Sequence, residues 1–375
     1  MFTDIFQMIA HIDVLSSTLV NGRIKSVGFD GPPGSGKTTI LEGPFAQAWS
    51  KFAGKPVDVI NDIVSTREPT DVRGLPLLDK RDPDMPAYRY GRPDLFQRIW
   101  LSPCFKDGLI LLNLDEFTQA DQSMQKVLAD LIQNGRVGEY VLPSNVWVVA
   151  TGNRLSDNAG VSRQLSMLTN RMAWYHLTLP IEHWAAHALD LDLPPLCRAF
   201  AVRFPDIFAD RVPPREGAFC TNRSFTEFSQ YLRTYNKVRG MSSTHVPDNT
   251  WARATAHGMI GEEIATRFFA YVKVADQLPS DEDILQRPES AKMPDEWAVD
   301  AQFAAVSMAM SLATRNILNI KPAVQYIMRA PTKELVVQAL TTLNLSDKTR
   351  ALTMNNFEVN QWLSENMALV GAVRR

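Results

Sequence analysis

The chain is poor in the features that mark several protein classes. It has three cysteines in 375 residues, Cys104, Cys197 and Cys220. They are odd in number and form no C-x-x-C pair, which argues against a disulfide framework or a zinc site. The formal net charge is only −2, so no global field draws the protein onto nucleic acid or an anionic membrane, although a local basic channel is compatible with that sum. No apolar run approaches the roughly 20 residues needed to span a bilayer. The first residues carry Asp4 and Asp13 and lack a basic n-region, so they do not read as a signal peptide. Beyond Pro288 no repeat, low-complexity tract or known motif is evident. What is left is an ordinary globular composition, 45% hydrophobic and 21% charged, in a chain long enough for two or three domains. The expectation is a cytoplasmic protein without a membrane segment.

Against that background, Gly31-Pro32-Pro33-Gly34-Ser35-Gly36-Lys37-Thr38, followed by Thr39, comes directly after the mostly apolar Val27-Gly28-Phe29-Asp30. It has the form G-x-x-x-x-G-K-[ST], the phosphate-cradling loop. Glycines let the backbone turn so that successive N–H groups converge on one phosphate-sized hollow. The helix that follows points its positive end at the same spot. Lys37 can reach the β and γ phosphates, and the Thr38 hydroxyl can hold Mg²⁺. Gly43-Pro44 interrupts the helix expected from Lys37, so a kink or a short first helix is expected there, with Phe45 to Phe52 continuing and Gly54 as the stop.

A second signature lies downstream. Leu109-Ile110-Leu111-Leu112-Asn113-Leu114 reads as a strand buried on both faces, and it ends in Asp115-Glu116. Ligands of open α/β sheets bind outside that end of the strands. Asp115 would hold Mg²⁺ and Glu116 would orient the attacking water in phosphoryl transfer. Met124, Val127, Leu128, Leu131 and Ile132 mark a helix with Asp121 as its N-cap. Arg136 to Pro143 reads as a small hairpin. Another buried strand, Val146 to Ala150, runs into Thr151-Gly152-Asn153-Arg154, where Asn153 is either a water-positioning amide or a turn former.

These pieces in this order resemble the AAA+ ATPases, and most closely their MoxR-like group, which includes the CbbQ and NorQ types. The resemblance covers about residues 20 to 285. It implies an α/β P-loop NTPase (AAA+) parallel sheet with flanking helices over 1–180 and an all-helical lid over 181–285, and the residue pattern adds a C-terminal helical region over 286–375. It identifies Gly31 to Thr38 with the Walker A loop, Asp115 and Glu116 with Walker B, and Asn153 with sensor 1. Arg171, in Leu168-Thr169-Asn170-Arg171-Met172, matches the arginine that faces a neighbouring subunit, with Arg163 second. Arg223, in Ala218 to Phe225, matches the lid's γ-phosphate contact, although Asn222 stands where the family commonly has proline. Thr70 to Pro76 and the Arg136 to Pro143 hairpin resemble the group's two pore-side insertions. The implied cofactors are ATP and Mg²⁺, and the implied assembly is a ring, usually hexameric, that remodels a protein partner.

Other stretches leave alternatives open. Ser65 to Pro93 is polar and turn-rich, and reads as an irregular segment that either faces a pore or neighbour or is a solvated insertion, with Leu95 to Trp100 closing it as a short helix. Its Arg67, Arg73, Lys80, Arg81, Arg89 and Arg92 would contact phosphate if the protein acted on nucleic acid instead. Ile5, Met8, Ile9, Ile12 and Leu15 suggest one amphipathic helix. His183 and His187 are four apart but lack the glutamate of a zinc helix. A single apolar helix is expected over Trp251 to Ala275. Beyond Pro288 the pattern stays helical over Trp297 to Leu318, Val324 to Met328, Leu335 to Leu343 and Phe357 to Leu369, with Met308, Met310 and Met328 as core filling.

Overall fold

In the computed structural model, residues 2–79, 87–154, 157, 168, 170–208, 217–273 and 278–366 are described. Lys80, Arg81 and Arg163, and the helix ends expected at Ala275 and Leu369, lie outside them. The chain divides into two compact units, the first holding Met1–Thr178 and the second starting at Leu179.

The strands of the first unit are β1 (Phe2–Asp4), β2 (Leu19–Val20), β3 (Arg23–Ile24), β4 (Val27–Asp30), β5 (Val57–Ile63), β6 (Pro76–Asp79), β7 (Ala87–Tyr90), β8 (Leu109–Asp115), β9 (Arg136–Val137), β10 (Tyr140–Val141), β11 (Val146–Gly152) and β12 (Ala173–Thr178). Six of them form one sheet in the order β1-β12-β4-β11-β8-β5. Every pairing in it is parallel. Parallel strands need crossover connections that cover both faces, which is why β4 and β11 are buried along their whole length. The order puts β11 between β4 and β8, so the ends of the two motif-bearing strands flank the segment leading to Asn153.

Local sequence explains the elements around the sheet. After the phosphate loop, the helix Lys37–Ile40 widens into a π-turn over Leu41–Phe45 and resumes as Ala46–Ala53. The wider turn accommodates Pro44, which has no N–H to donate and would clash in a regular α-turn. Asp121 caps the helix Gln122–Asn134, its carboxylate accepting from the Met124 N–H at 2.8 Å. Gly28 is required by packing: a Cβ there would sit 2.5 Å from the Trp174 ring of the adjacent strand.

Several expectations need correction. The N-terminal helix is two short ones, Ile5–Ala10 and Ile12–Ser17, preceded by the edge strand β1. The middle stretch is not irregular throughout. It holds the helix Pro69–Arg73, closed by a reciprocal Glu68 and Asp71 capping box, and the antiparallel β6–β7 hairpin. The helix expected over Trp251 to Ala275 is two, Thr250–Ile260 and Glu262–Val272. Gly261 breaks it at φ 79° and ψ 157°, a conformation other residues rarely adopt.

The second unit is helical among its described residues. An aromatic core centred on Phe200, Phe225, Phe228 and Phe268 adjoins one built on the long helix Val299–Arg315. Met308 and Met310 are buried there, filling core as expected. Trp297 is 91% exposed and precedes that helix rather than starting it. No helix among the described residues is long and apolar enough to cross a membrane.

Candidate phosphate-binding site

At the C-terminal edge of the sheet, the loop after β4 turns through Gly34 and Gly36, both left-handed at φ 69° and 80°. Gly36 is thereby the N-cap of the helix that Lys37 opens. The loop is tied to the next strand by Gly31 N–H donating to Gly152 O at 3.3 Å.

Lys37 Nζ donates to the carbonyls of Gly31 (3.0 Å) and Pro32 (2.8 Å) and to Asn153 Oδ1 (3.1 Å). Burial lowers its pKa to about 8, although Asp157, Asp115 and Asp30 pull it upward. An ammonium folded onto neutral carbonyls is a cation short of counter-charge, and incoming phosphate would supply that charge. Thr38 Oγ1 donates to Asp115 Oδ2 at 3.0 Å. The other oxygen, Asp115 Oδ1, accepts from Thr151 Oγ1 (2.6 Å) and from the Glu116 N–H (2.9 Å). One hydroxyl and one carboxylate oxygen thus lie side by side, a donor pair that fits magnesium. Among the described residues no cluster of three or more His, Cys, Asp or Glu is gathered for a metal. Magnesium at such sites needs none, because substrate phosphates and water complete its oxygen shell.

Glu116 follows with a left-handed backbone, φ 55° and ψ 30°, and its Oε2 accepts from Ser65 Oγ. Thr118 Oγ1 fixes the Asn153 carbonyl at 2.8 Å, and this close approach is why position 152 carries no side chain. The structure therefore gathers Lys37, Thr38, Asp115 and Asn153 through direct contacts, with Glu116 alongside.

The two expected arginines are each described within their own unit. Arg171 precedes β12, whose Ala173 pairs with Val27 at the start of β4. It lies at the edge of the sheet opposite the phosphate loop, roughly 15 Å away at about 3.3 Å per strand residue. Its Nη1 donates to Ala129 O at 2.8 Å. Arg223 belongs to the second unit, exposed on the first turn of the helix Asn222–Arg239, which Thr221 caps.

Of the basic residues that would contact nucleic acid, Arg67 is already committed. It pairs with the buried Asp62 at 2.5 Å, which Arg98 also meets at 2.9 Å. Arg92 stacks over the Trp100 ring at 3.6 Å, and Arg73 and Arg89 are exposed.

Sequence reasoning missed four site neighbours. Ser65 and Thr151 hold the acidic pair. His176 Nδ1 lies 2.6 Å from Asp30 Oδ1. Arg154 pairs with Asp157 at 2.6 Å beside Asn153. Thr151 stood in a segment already singled out. Ser65 is 51 residues from its partner and carried no local signal.

The β4–loop–helix unit, with an acidic strand end two strands away in a parallel sheet, defines a P-loop NTPase fold followed by a helical region. No family model and no curated protein matches this sequence. Two solved structures of RuvB variants from Thermotoga maritima align with it. The first has 13% identity over 66% of this chain and 62% of that one, with a TM-score of 0.32. The second has 14% identity over 70% and 68%, with a TM-score of 0.31. The chain thus spans just under two thirds of the first RuvB structure. Likeness this distant transfers no activity, and the fold class rests on the strand order and the phosphate loop.

Proposed function

We propose that the protein is a magnesium-dependent ATPase of the AAA+ class, MoxR-like in type, working as a ring on a protein partner. The observation that carries this reading is the double convergence of Lys37 on Asn153 and Thr38 on Asp115 at one sheet edge. Lys37 and the loop N–H groups from Gly34 to Thr39 would neutralise the triphosphate. Magnesium, held by Thr38 and Asp115, would neutralise charge on the β and γ oxygens. Glu116 would orient the attacking water with Asn153, and Arg223 would contact the γ-phosphate from the lid.

The place of Arg171 supports a shared site. Its guanidinium cannot span its own sheet to the phosphate loop, so it would act on a neighbour's nucleotide, as in a hexamer. The hairpin β6–β7 supports a protein partner, because it presents Leu77, Leu78, Tyr88 and Tyr90 to solvent beside exposed Leu75. One observation favours nucleic acid instead: exposed Arg89 lies between exposed Tyr88 and Tyr90, an aromatic and basic interleaving suited to single strands.

The test is ATP hydrolysis with and without magnesium. The expected outcome is metal-dependent turnover that Glu116→Gln lowers by about 10²-fold or more while ATP still binds. Normal turnover in that variant would remove Glu116 from the mechanism. Stimulation by single-stranded DNA, lost at high salt and in Arg89→Ala, would move the partner assignment to nucleic acid.

A further inference from the structure

We propose that the second unit docks an amphipathic helix of a partner protein, acidic in its first turn and basic in its last. The place is an open groove of about 830 Å³ between the helices Asn222–Arg239 and Thr250–Ile260. It is separate from the phosphate loop and independent of the reading given to that loop.

The helix Asn222–Arg239 carries aromatic side chains on two sides, and the unit's core takes only one of them. Phe225, Phe228 and Leu232 are buried in that core. On the other side Glu227, Tyr231, Tyr235 and Arg239 recur at four-residue spacing and line the groove, one above the next along the helix. Trp251 and Met259 of the second helix also line it. Tyr231 is 53% exposed and Trp251 45%. Tyrosine, tryptophan and arginine are the side chains that most often anchor protein interfaces. These are already ordered: Tyr235 stacks on Trp251 at 5.3 Å and 21°, and the Arg239 guanidinium lies 5.9 Å from the Tyr235 ring centre. Side chains fixed before binding lose little freedom on docking.

A second observation concerns Gly258. It lies inside the helix Thr250–Ile260, two turns after Trp251 and so on the same side. Its backbone is not left-handed, and a Cβ there would meet no other part of the described chain within 4 Å. Neither conformation nor packing calls for glycine, which weakens a helix interior relative to alanine. A bare position on Trp251's side lets the backbone of a docked element come close.

Charge and length select the occupant. Lys237 and Arg239 lie in the last turn of their helix, and Glu227 lies about 18 Å back along its axis at 1.5 Å per residue. A helix of about 12 residues spans that distance. Acidic at its start and basic at its end, it would suit its own dipole and the groove's charges together, running antiparallel to Asn222–Arg239. A nucleic-acid strand fits less well, because Glu227 repels phosphate and the Tyr235 ring is already stacked. A second copy of the chain also fits less well. Among the described residues, the helices of such length and charge order are Asp94–Leu101, Ile181–Asp190 and Val299–Arg315, and each buries most of its apolar residues within its own unit.

The test selects binders to the full chain from a displayed library of helical peptides of about 14 residues. Enriched peptides are expected to carry glutamate or aspartate in the first turn, apolar residues at i, i+4 and i+7, and lysine or arginine in the last turn. Gly258→Gln, whose side chain enters open space, should keep the fold and weaken their binding by about tenfold or more. Arg239→Glu should weaken it similarly, and exchanging the peptide's acidic and basic ends should restore binding to a variant carrying both Arg239→Glu and Glu227→Lys. Enriched peptides without that charge order, or binding that both single variants leave unchanged, overturns the proposal. A change in the protein's own oligomeric state in Gly258→Gln, or loss of single-stranded DNA binding there, would give the groove to another occupant and overturn it as well.

Discussion

The phosphate loop and the surroundings of Arg198 both draw polar side chains into apolar surroundings, but the chain encodes them differently. The loop is almost contiguous: eight residues set its shape, and the parallel sheet delivers Asp115 and Asn153 to it by register. Arg198 has no motif. It and its acceptor Ser307 lie on helices more than a hundred residues apart, in positions that read as ordinary helix interior. The loop holds Lys37 on neutral carbonyls beside nearby acids, ready for an incoming phosphate. Arg198, 1% exposed, is held on the carbonyls of Leu193 and Ser307, with no acid in an ion pair with it among the described residues. A motif thus marks the cation that waits for a ligand from solution, and nothing in the sequence marks the one enclosed by the fold.

That contrast can be broken experimentally. The largest effect should come from Lys37→Ala, which is expected to weaken ATP binding by about 10–100-fold, the worth of a charge-assisted contact. It should leave the melting of the second unit unchanged, whereas Arg198→Met should alter that melting and spare ATP binding. Calorimetry and ATP titration on both variants check this.

Next is pH. Lys37 in the nucleotide-free protein loses its proton near pH 8, and the phosphate-bound state favours the charged form. ATP affinity should therefore be flat below about pH 7.5 and fall by up to about tenfold per unit above pH 8. The same depressed pKa means that the unfolded chain holds this proton up to the ordinary lysine range. This group's stability contribution thus rises with pH between about 8 and that range. An affinity unchanged to pH 9.5 would mean that Lys37 does not carry the binding.

Smaller still is Gly28→Ala, whose methyl would meet the Trp174 ring and cost the first unit about 1–3 kcal/mol, read as lower melting of that unit alone. The smallest is Ser65→Ala. Releasing the Glu116 carboxylate should raise basal ATP turnover by about two- to fivefold without changing ATP affinity, and steady-state kinetics would separate the two.

Much of the first unit was legible because its signals are local. The buried strands β8 and β11, the Asp121 cap and the Gly43-Pro44 disturbance each rest on neighbouring residues. The three-residue strand β1 is too short for any periodicity and exists through its pairing with β12. The break at Gly261 was hidden inside a continuous apolar pattern, where one backbone dihedral decides against the helix. Of the site, Lys37, Thr38, Asp115 and Asn153 could be read and are brought together. Ser65 and His176 could not, because sheet register, not sequence spacing, makes them neighbours.

Glu116 has one more consequence. Its left-handed backbone costs a side-chain-bearing residue about 1–2 kcal/mol that glycine would not incur. Lineages of this protein selected for heat resistance alone would drift toward glycine at that turn and lose the carboxylate. Directed evolution for thermal tolerance should therefore screen for turnover as well, or it will find the inert solution first.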